Sequence, residues 1–178
     1  AGDDARKFLA GLLTLDLDKV TPETARFGAL LTPQGKIIVD CIVAEVAPED
    51  GAGFFLDCPR ALAPNFVERL NFYKLRAKVI AEDLSEMLGV MAAWDGDGTT
   101  DYGLCYRDPR LPALGLRVML PPHLAAQAAA EFGADLVEAS AYEAHRIALG
   151  IPRGGLDFIY SDTFPHEADM DQFGGVDF

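Results

Sequence analysis

With 178 residues, half of them apolar, the chain has enough material to bury the core of one domain or of two closely packed subdomains, and disorder is excluded. Only 15 Lys and Arg stand against 28 Asp and Glu, a net charge of −13, so the surface repels a phosphate backbone and direct nucleic-acid binding is not expected. No apolar run approaches the roughly 20 residues that a membrane helix needs, and no basic stretch leads into an apolar one as in a signal peptide, so neither membrane insertion nor export is expected and the cytoplasm is the expected location.

Asp3 or Asp4 can cap a first helix, whose apolar residues Phe8, Leu9, Leu12 and Leu13 share one face before it ends near Thr14. Thr21-Pro22-Glu23 reads as a turn or a short helical start. Phe27 to Leu31 reads as a strand, stopped by Pro33-Gln34-Gly35, and Lys36 to Val46 as its hairpin partner, rich in β-branched residues. Gly53 to Leu56 is a further short strand, followed by a helix that starts at Pro59 or Pro64 and runs to Phe72. Lys78 to Ala81, Leu88 to Trp94 and Tyr102 to Tyr106 read as three more strands separated by Asp- and Gly-rich turns. Asp95-Gly96-Asp97-Gly98 is one of these turns; it lacks the full set of acidic ligands that a calcium loop requires.

Leu116 to Leu120 is a strand, and Pro121-Pro122 opens an alanine-rich helix closed by Gly133. Ser140-Ala141-Tyr142-Glu143 matches a capping box for a helix from Ala141 to Leu149, stopped by Gly150 and Pro152. Strands and helices follow one another without regular alternation, which argues for an α+β fold rather than a doubly wound parallel sheet. Cys41, Cys58 and Cys105 are scattered, without paired spacing, and His123, His145 and His166 share no ligand spacing, so no metal site is expected in this chain.

Several stretches, in order along the chain, resemble the YgfZ family of folate-binding proteins, relatives of the glycine-cleavage T-protein: Phe8 to Asp18, Arg26 to Asp40, Leu70 to Val79, Asp108 to Gly115, His145 to Pro152 and Phe164 to Phe178. The resemblance implies the N-terminal portion of a T-protein-like (aminomethyltransferase) fold, in which a ferredoxin-like subdomain is split by an inserted α+β subdomain and a C-terminal barrel follows outside this chain. Residues 1–46 with 136–178 would form the discontinuous folate-binding subdomain, and 47–135 the inserted one. The family's lysine-glycine-cysteine-tyrosine signature would begin after Phe178.

The resemblance also implies tetrahydrofolate or another reduced folate as ligand, held between the subdomains, and directs attention to four residues. Asp40 is a carboxylate within an apolar strand, which costs several kcal/mol unless it is paired or faces a wet cavity. It corresponds to the second of two adjacent T-protein aspartates that assist proton movement at the folate, which makes it the candidate catalytic as well as folate-binding residue; Val39 stands in place of the first. The alternative is a structural acid satisfied by backbone amides, Arg26 or Lys36. Tyr142 is placed for its ring to lie against a pteridine or benzoyl group, and is otherwise a core aromatic. Arg146 matches the arginine of an R-x-x-x-G pattern and could hold Asp40 or the ligand's glutamyl tail, or else form a surface ion pair. Ala148 replaces a T-protein glutamate that accepts from the pteridine, and Glu167 is the candidate substitute acceptor, its alternative being a solvated loop residue.

Tyr73, Lys74, Arg76 and Lys78 form the one basic cluster, fit either to meet an acidic partner or to blunt a strand edge. The favoured function is a folate-binding factor that supports iron–sulfur cluster assembly or repair without turnover of its own, with iron–sulfur client or assembly proteins as partners. The alternatives are an aminomethyltransferase-like one-carbon transferase, against which Val39 and Ala148 count, and a scaffold that has lost folate.

Overall fold

In a computed structural model the described residues are 1–96 and 98–177, and they form two three-stranded antiparallel sheets packed face to face with helices on the outside. The first sheet has the order β1-β2-β3, with β1 at Arg26–Leu31, β2 at Ile37–Val46 and β3 at Gly53–Asp57. The second has the order β4-β6-β5, with β4 at Gly89–Ala93, β5 at Leu104–Arg107 and β6 at Leu116–Leu120. This is the α+β arrangement expected from the mixed element order, and neither described sheet closes into a barrel.

Side chains alternate across each strand, and that alternation builds two separate cores. In β2, Val39, Cys41 and Val43 turn outward, where α1 (Ala5–Ala10) and α2 (Ala63–Tyr73) cover them with Leu9, Phe66 and Leu70. Ile42 and Ala44 turn inward with Phe27 and Ala29 of β1 against Tyr106 and Met119 of the second sheet. A bulge between Leu30 and Leu31 leaves Ile38 as an extra residue, which lets Ile37 join the inward core while Ile38 joins the outward one. The far face of the second sheet buries Val118 and Leu120 under α3 (Ala125–Glu131), the alanine-rich helix, whose Ala128 allows close approach.

Most expected elements form close to their sequence limits, and three differ. The first helix ends at Ala10 instead of near Thr14, and Leu13 bridges to Leu30 of β1. Lys78 to Ala81 is extended but builds no ladder: it clamps the N-terminus, with Ala1 N donating to Ile80 O at 2.9 Å and Lys78 N donating to the Asp4 carboxylate at 2.7 Å. Asp4 is therefore engaged there instead of capping α1. The Ser140 capping box does not form either, because α4 (Ala139–Ala148) begins before Ser140 and Glu143 is drawn to two arginines. Beyond Val46, β3 pairs with β2 from Ile42↔Asp57 to Val46↔Gly53 and so completes the first sheet. Asp97 of the expected Asp95–Gly98 turn and Phe178 lie outside the described residues.

Candidate functional site

A cleft of about 1070 Å³ opens between the facing sheets and continues around the β3 edge to α2 (Ala63–Tyr73) and the segment before α4, slightly above the roughly 300–1,000 Å³ range of small-molecule sites. The wall formed by the first sheet carries two acids supplied by its inward alternation: Asp40 of β2, and Asp57 at the end of β3. Each accepts a phenolic hydrogen bond. Tyr160 Oη donates to Asp40 Oδ1 at 2.5 Å, and Tyr106 Oη, from β5, donates to Asp57 Oδ2 at 2.8 Å. Burial and the adjacent carboxylate charges raise both phenols above their ordinary pKa, so at neutral pH both are donors.

The two acids differ in their cation partners. Asp57 is neutralised by Arg117 of β6, whose Nε donates to Asp57 Oδ2 at 2.6 Å. Burial opposes the Arg117 charge, but Asp57 overcomes that penalty and holds the guanidinium firmly protonated. Asp40 has no cation within ion-pair distance among the described residues: Arg26 reaches Asp177, and Lys36 reaches Asp162 and lies over the Phe164 ring. The tight approach of Tyr160 to Asp40 depends on Gly154, where a Cβ would meet the Tyr160 ring and hydroxyl at 2.1 Å.

On the second sheet's side, Asp108 is fully buried and grips Arg110 through Nε at 2.9 Å and Nη2 at 2.6 Å. Arg110 and Arg117 then converge on one atom, the Tyr142 hydroxyl oxygen, at 3.2 and 3.3 Å. Trp94, beyond β4, stacks on His145 of α4 at 5.1 Å between centroids and tilts toward Tyr142 at 5.9 Å, giving the cleft a flat aromatic flank. Among the described residues no three His, Cys, Asp or Glu side chains gather as a metal-binding group.

Of the four residues singled out by sequence, Asp40 and Tyr142 line this cleft. Arg146 also borders it, but its buried guanidinium is consumed by Glu143 at 2.7 Å, by Asp157 and by the Ile151 carbonyl at 3.1 Å, none of which is Asp40. Glu167 is exposed, lies outside the cleft lining and accepts from the Phe164 N–H at 2.8 Å. Ala148 is likewise exposed and outside the lining. Sequence reasoning passed over Asp57, Arg110, Arg117 and Tyr160. Arg117, the one charge within the otherwise apolar strand Leu116–Leu120, carries the same signal that marked Asp40.

No family model matches the chain. Individual proteins do: the iron-sulfur cluster assembly factor IBA57 homolog, mitochondrial, of Mycosarcoma maydis is 32% identical over 190 residues, which cover 100% of this chain and 47% of that protein. The homolog of the same name from Pyricularia oryzae is 30% identical over 185 residues, covering 100% of this chain and 46% of that protein. The similarity to these relatives runs over the whole of this chain. The chain spans about half the length of these relatives. The crystal structure of glycine cleavage system aminomethyltransferase T from Bartonella henselae superposes with a TM-score of 0.68 over 98% of this chain and 56% of that one, at 19% identity. The fold is therefore T-protein-like, as the resemblance implied; at this identity the likeness speaks for fold alone. One expectation is corrected: the cytoplasm was inferred from charge and hydropathy, whereas the IBA57 relatives are mitochondrial proteins. Charge and hydropathy of a folded domain constrain membrane insertion and polyanion binding, but they carry no organelle address.

Proposed function

We propose that the chain binds a reduced folate such as tetrahydrofolate in the cleft between its sheets and, as part of a longer protein, supports iron–sulfur cluster assembly or repair without turnover of its own. Asp40 is the observation that carries the folate reading. It is a half-buried carboxylate on the cleft wall that receives one phenolic hydrogen bond and has no cation partner among the described residues, while Asp57 and Asp108 each have an arginine. Its open lone pairs suit the amino and ring N–H donors along one edge of a pteridine, and a charge-assisted bond of that kind is among the stronger ones available. Trp94 and Tyr142 supply flat surface for a conjugated ring, and the cleft has room for the whole molecule. The cluster-assembly reading is supported by the role of the IBA57 relatives.

Isothermal titration with tetrahydrofolate tests the first part. Asp40→Asn keeps the shape but offers an N–H₂ group where an acceptor stood, and removal of a charged hydrogen bond is expected to weaken binding about 10- to 100-fold. Equal affinity of this variant and the parent would remove Asp40 from the site. Methylene transfer from an aminomethyl donor to tetrahydrofolate by the longer protein, lost in Asp40→Asn, would instead assign the transferase-like role.

A further inference from the structure

The Tyr142 hydroxyl has an unusual hydrogen-bond inventory. A phenol offers one donor and about two acceptor positions, and a guanidinium is a donor only. Arg110 Nη2 and Arg117 Nη1 both donate to the Tyr142 oxygen, at 3.2 and 3.3 Å, which occupies its acceptor capacity. Each arginine is anchored by a carboxylate. Arg110 is clasped by Asp108 through two bonds, and Arg117 is held by Asp57 at 2.6 Å with Asp108 a further 3.6 Å neighbour. Both arginine side chains are only 15% exposed, so water competes weakly for these contacts. The remaining Tyr142 proton has no acceptor among the described residues, and the ring lines the cleft.

We infer that Arg110 and Arg117 are specificity-determining residues that make the Tyr142 hydroxyl a dedicated hydrogen-bond donor toward the ligand, so that the cleft selects molecules presenting an acceptor oxygen or nitrogen at that point. The two walls then have opposite polarity. Asp40 asks for a donor, and Tyr142 asks for an acceptor. A ligand carrying only donors satisfies one wall and leaves the phenol proton unpaired in a partly buried place, which is how a polar site rejects a near-isostere.

This inference rests on the folate reading for its probes: tetrahydrofolate, its 4-amino-4-deoxy analogue, which replaces the ring carbonyl acceptor with a donor, and tetrahydropteroate, which lacks the glutamate. Titration of each is made against the parent chain, Tyr142→Phe and Arg110→Lys. Tyr142→Phe keeps the ring and loses only the hydroxyl, and it is expected to weaken tetrahydrofolate binding about tenfold. If the parent's preference for tetrahydrofolate over the 4-amino analogue disappears in Tyr142→Phe, the acceptor is the ring carbonyl. Disappearance of the preference over tetrahydropteroate instead assigns it to the glutamate. A loss shared by all three ligands and reproduced in part by Arg110→Lys assigns it to the benzoyl carbonyl common to them. The same shared loss with Arg110→Lys at parental affinity overturns the inference, as does a Tyr142→Phe chain that binds tetrahydrofolate like the parent. A parent chain that binds none of the three removes the folate reading, and this inference with it.

Discussion

At the scale of single residues, the cleft is built from pairs whose chemistry follows from partner and burial together. Asp40 and Tyr160 form one such pair, and Tyr160→Phe tests what the hydroxyl contributes. Without that donor the carboxylate loses its one hydrogen bond and its orientation, so folate affinity should fall by about 3- to 10-fold while the apolar ring still packs against Phe158. Titration alongside a melting curve checks this; a variant that melts much earlier but binds normally would make Tyr160 a packing residue alone. Cys58 lies on the other side of the first sheet, next to Cys41. Burial, with the charges of Asp57 and Asp40 adding to it, pushes the Cys58 thiol up to about 12, and burial lifts Cys41 and Cys105 as well. Thiolate is the reactive form, so the native chain should react slowly with a disulfide reagent at pH 7.5 and release its full thiol count only in denaturant. Rapid stoichiometric labelling of the native chain would contradict this placement of the cysteines.

At the scale of elements, two segments hold the site in place. The first is the loop that brings Tyr160 to Asp40. Gly154 has no left-handed backbone requirement, yet a methyl group there would overlap the Tyr160 ring. Gly154→Ala should therefore displace the hydroxyl from Asp40 and reduce folate affinity to at least the extent of Tyr160→Phe. The second is the end of α4, where buried Arg146 ties Glu143, Asp157 and the Ile151 carbonyl together. Arg146→Ala leaves two acids and a carbonyl without their donor. Because Glu143 and Asp157 are partly exposed, water recovers some of the loss, and the expected destabilisation is about 2 kcal/mol, readable as a shift in the denaturation midpoint. These devices mark the limit of what the sequence reveals. Strand β6 and the β1-β2 hairpin were legible because alternation, β-branching and Pro-Gln-Gly punctuation all agree. Asp40 was legible as a charge among apolar neighbours. The Ser140 capping box misled because the local pattern matched, whereas Arg146 and Arg153 compete for the Glu143 side chain once α4 and the following loop have folded together. Tyr160 gave no signal at all, since its partner is 120 residues away in sequence.

At the scale of the whole molecule, acidic charge and specific ion pairs act in opposite directions as pH falls. The net charge of −13 is self-repulsive, so protonating surface acids relieves strain on the compact state. Specific pairs resist protonation. Hydrogen bonds from Lys19 and the charges of Lys19 and Arg26 hold the Asp177 carboxyl below its ordinary value; the Arg153 backbone N–H and Arg146 do the same for Asp157, and Arg146 and Arg153 overcome the burial penalty for Glu143. For each group the folded state binds a proton less readily than the unfolded one. Above the unfolded value both states are ionised and the full stabilisation is present; as pH drops through the interval down to the folded value, the unfolded chain takes up the proton first and stability declines. The two effects therefore occupy different pH ranges. From pH 8 to about 5 few carboxylates titrate, and the denaturation midpoint should stay nearly level; below about pH 4 the loss from Asp157, Glu143 and Asp177 should prevail over the relief of repulsion, because those three join the C-terminal segment to α4 and to the first sheet. Arg146→Ala removes one shared partner of Glu143 and Asp157, so its acid decline should be shallower than the parent's. Urea titrations at stepped pH measure both slopes, and a parent chain whose stability rises continuously from pH 5 to pH 3 would mean that charge repulsion, not these pairs, governs the molecule.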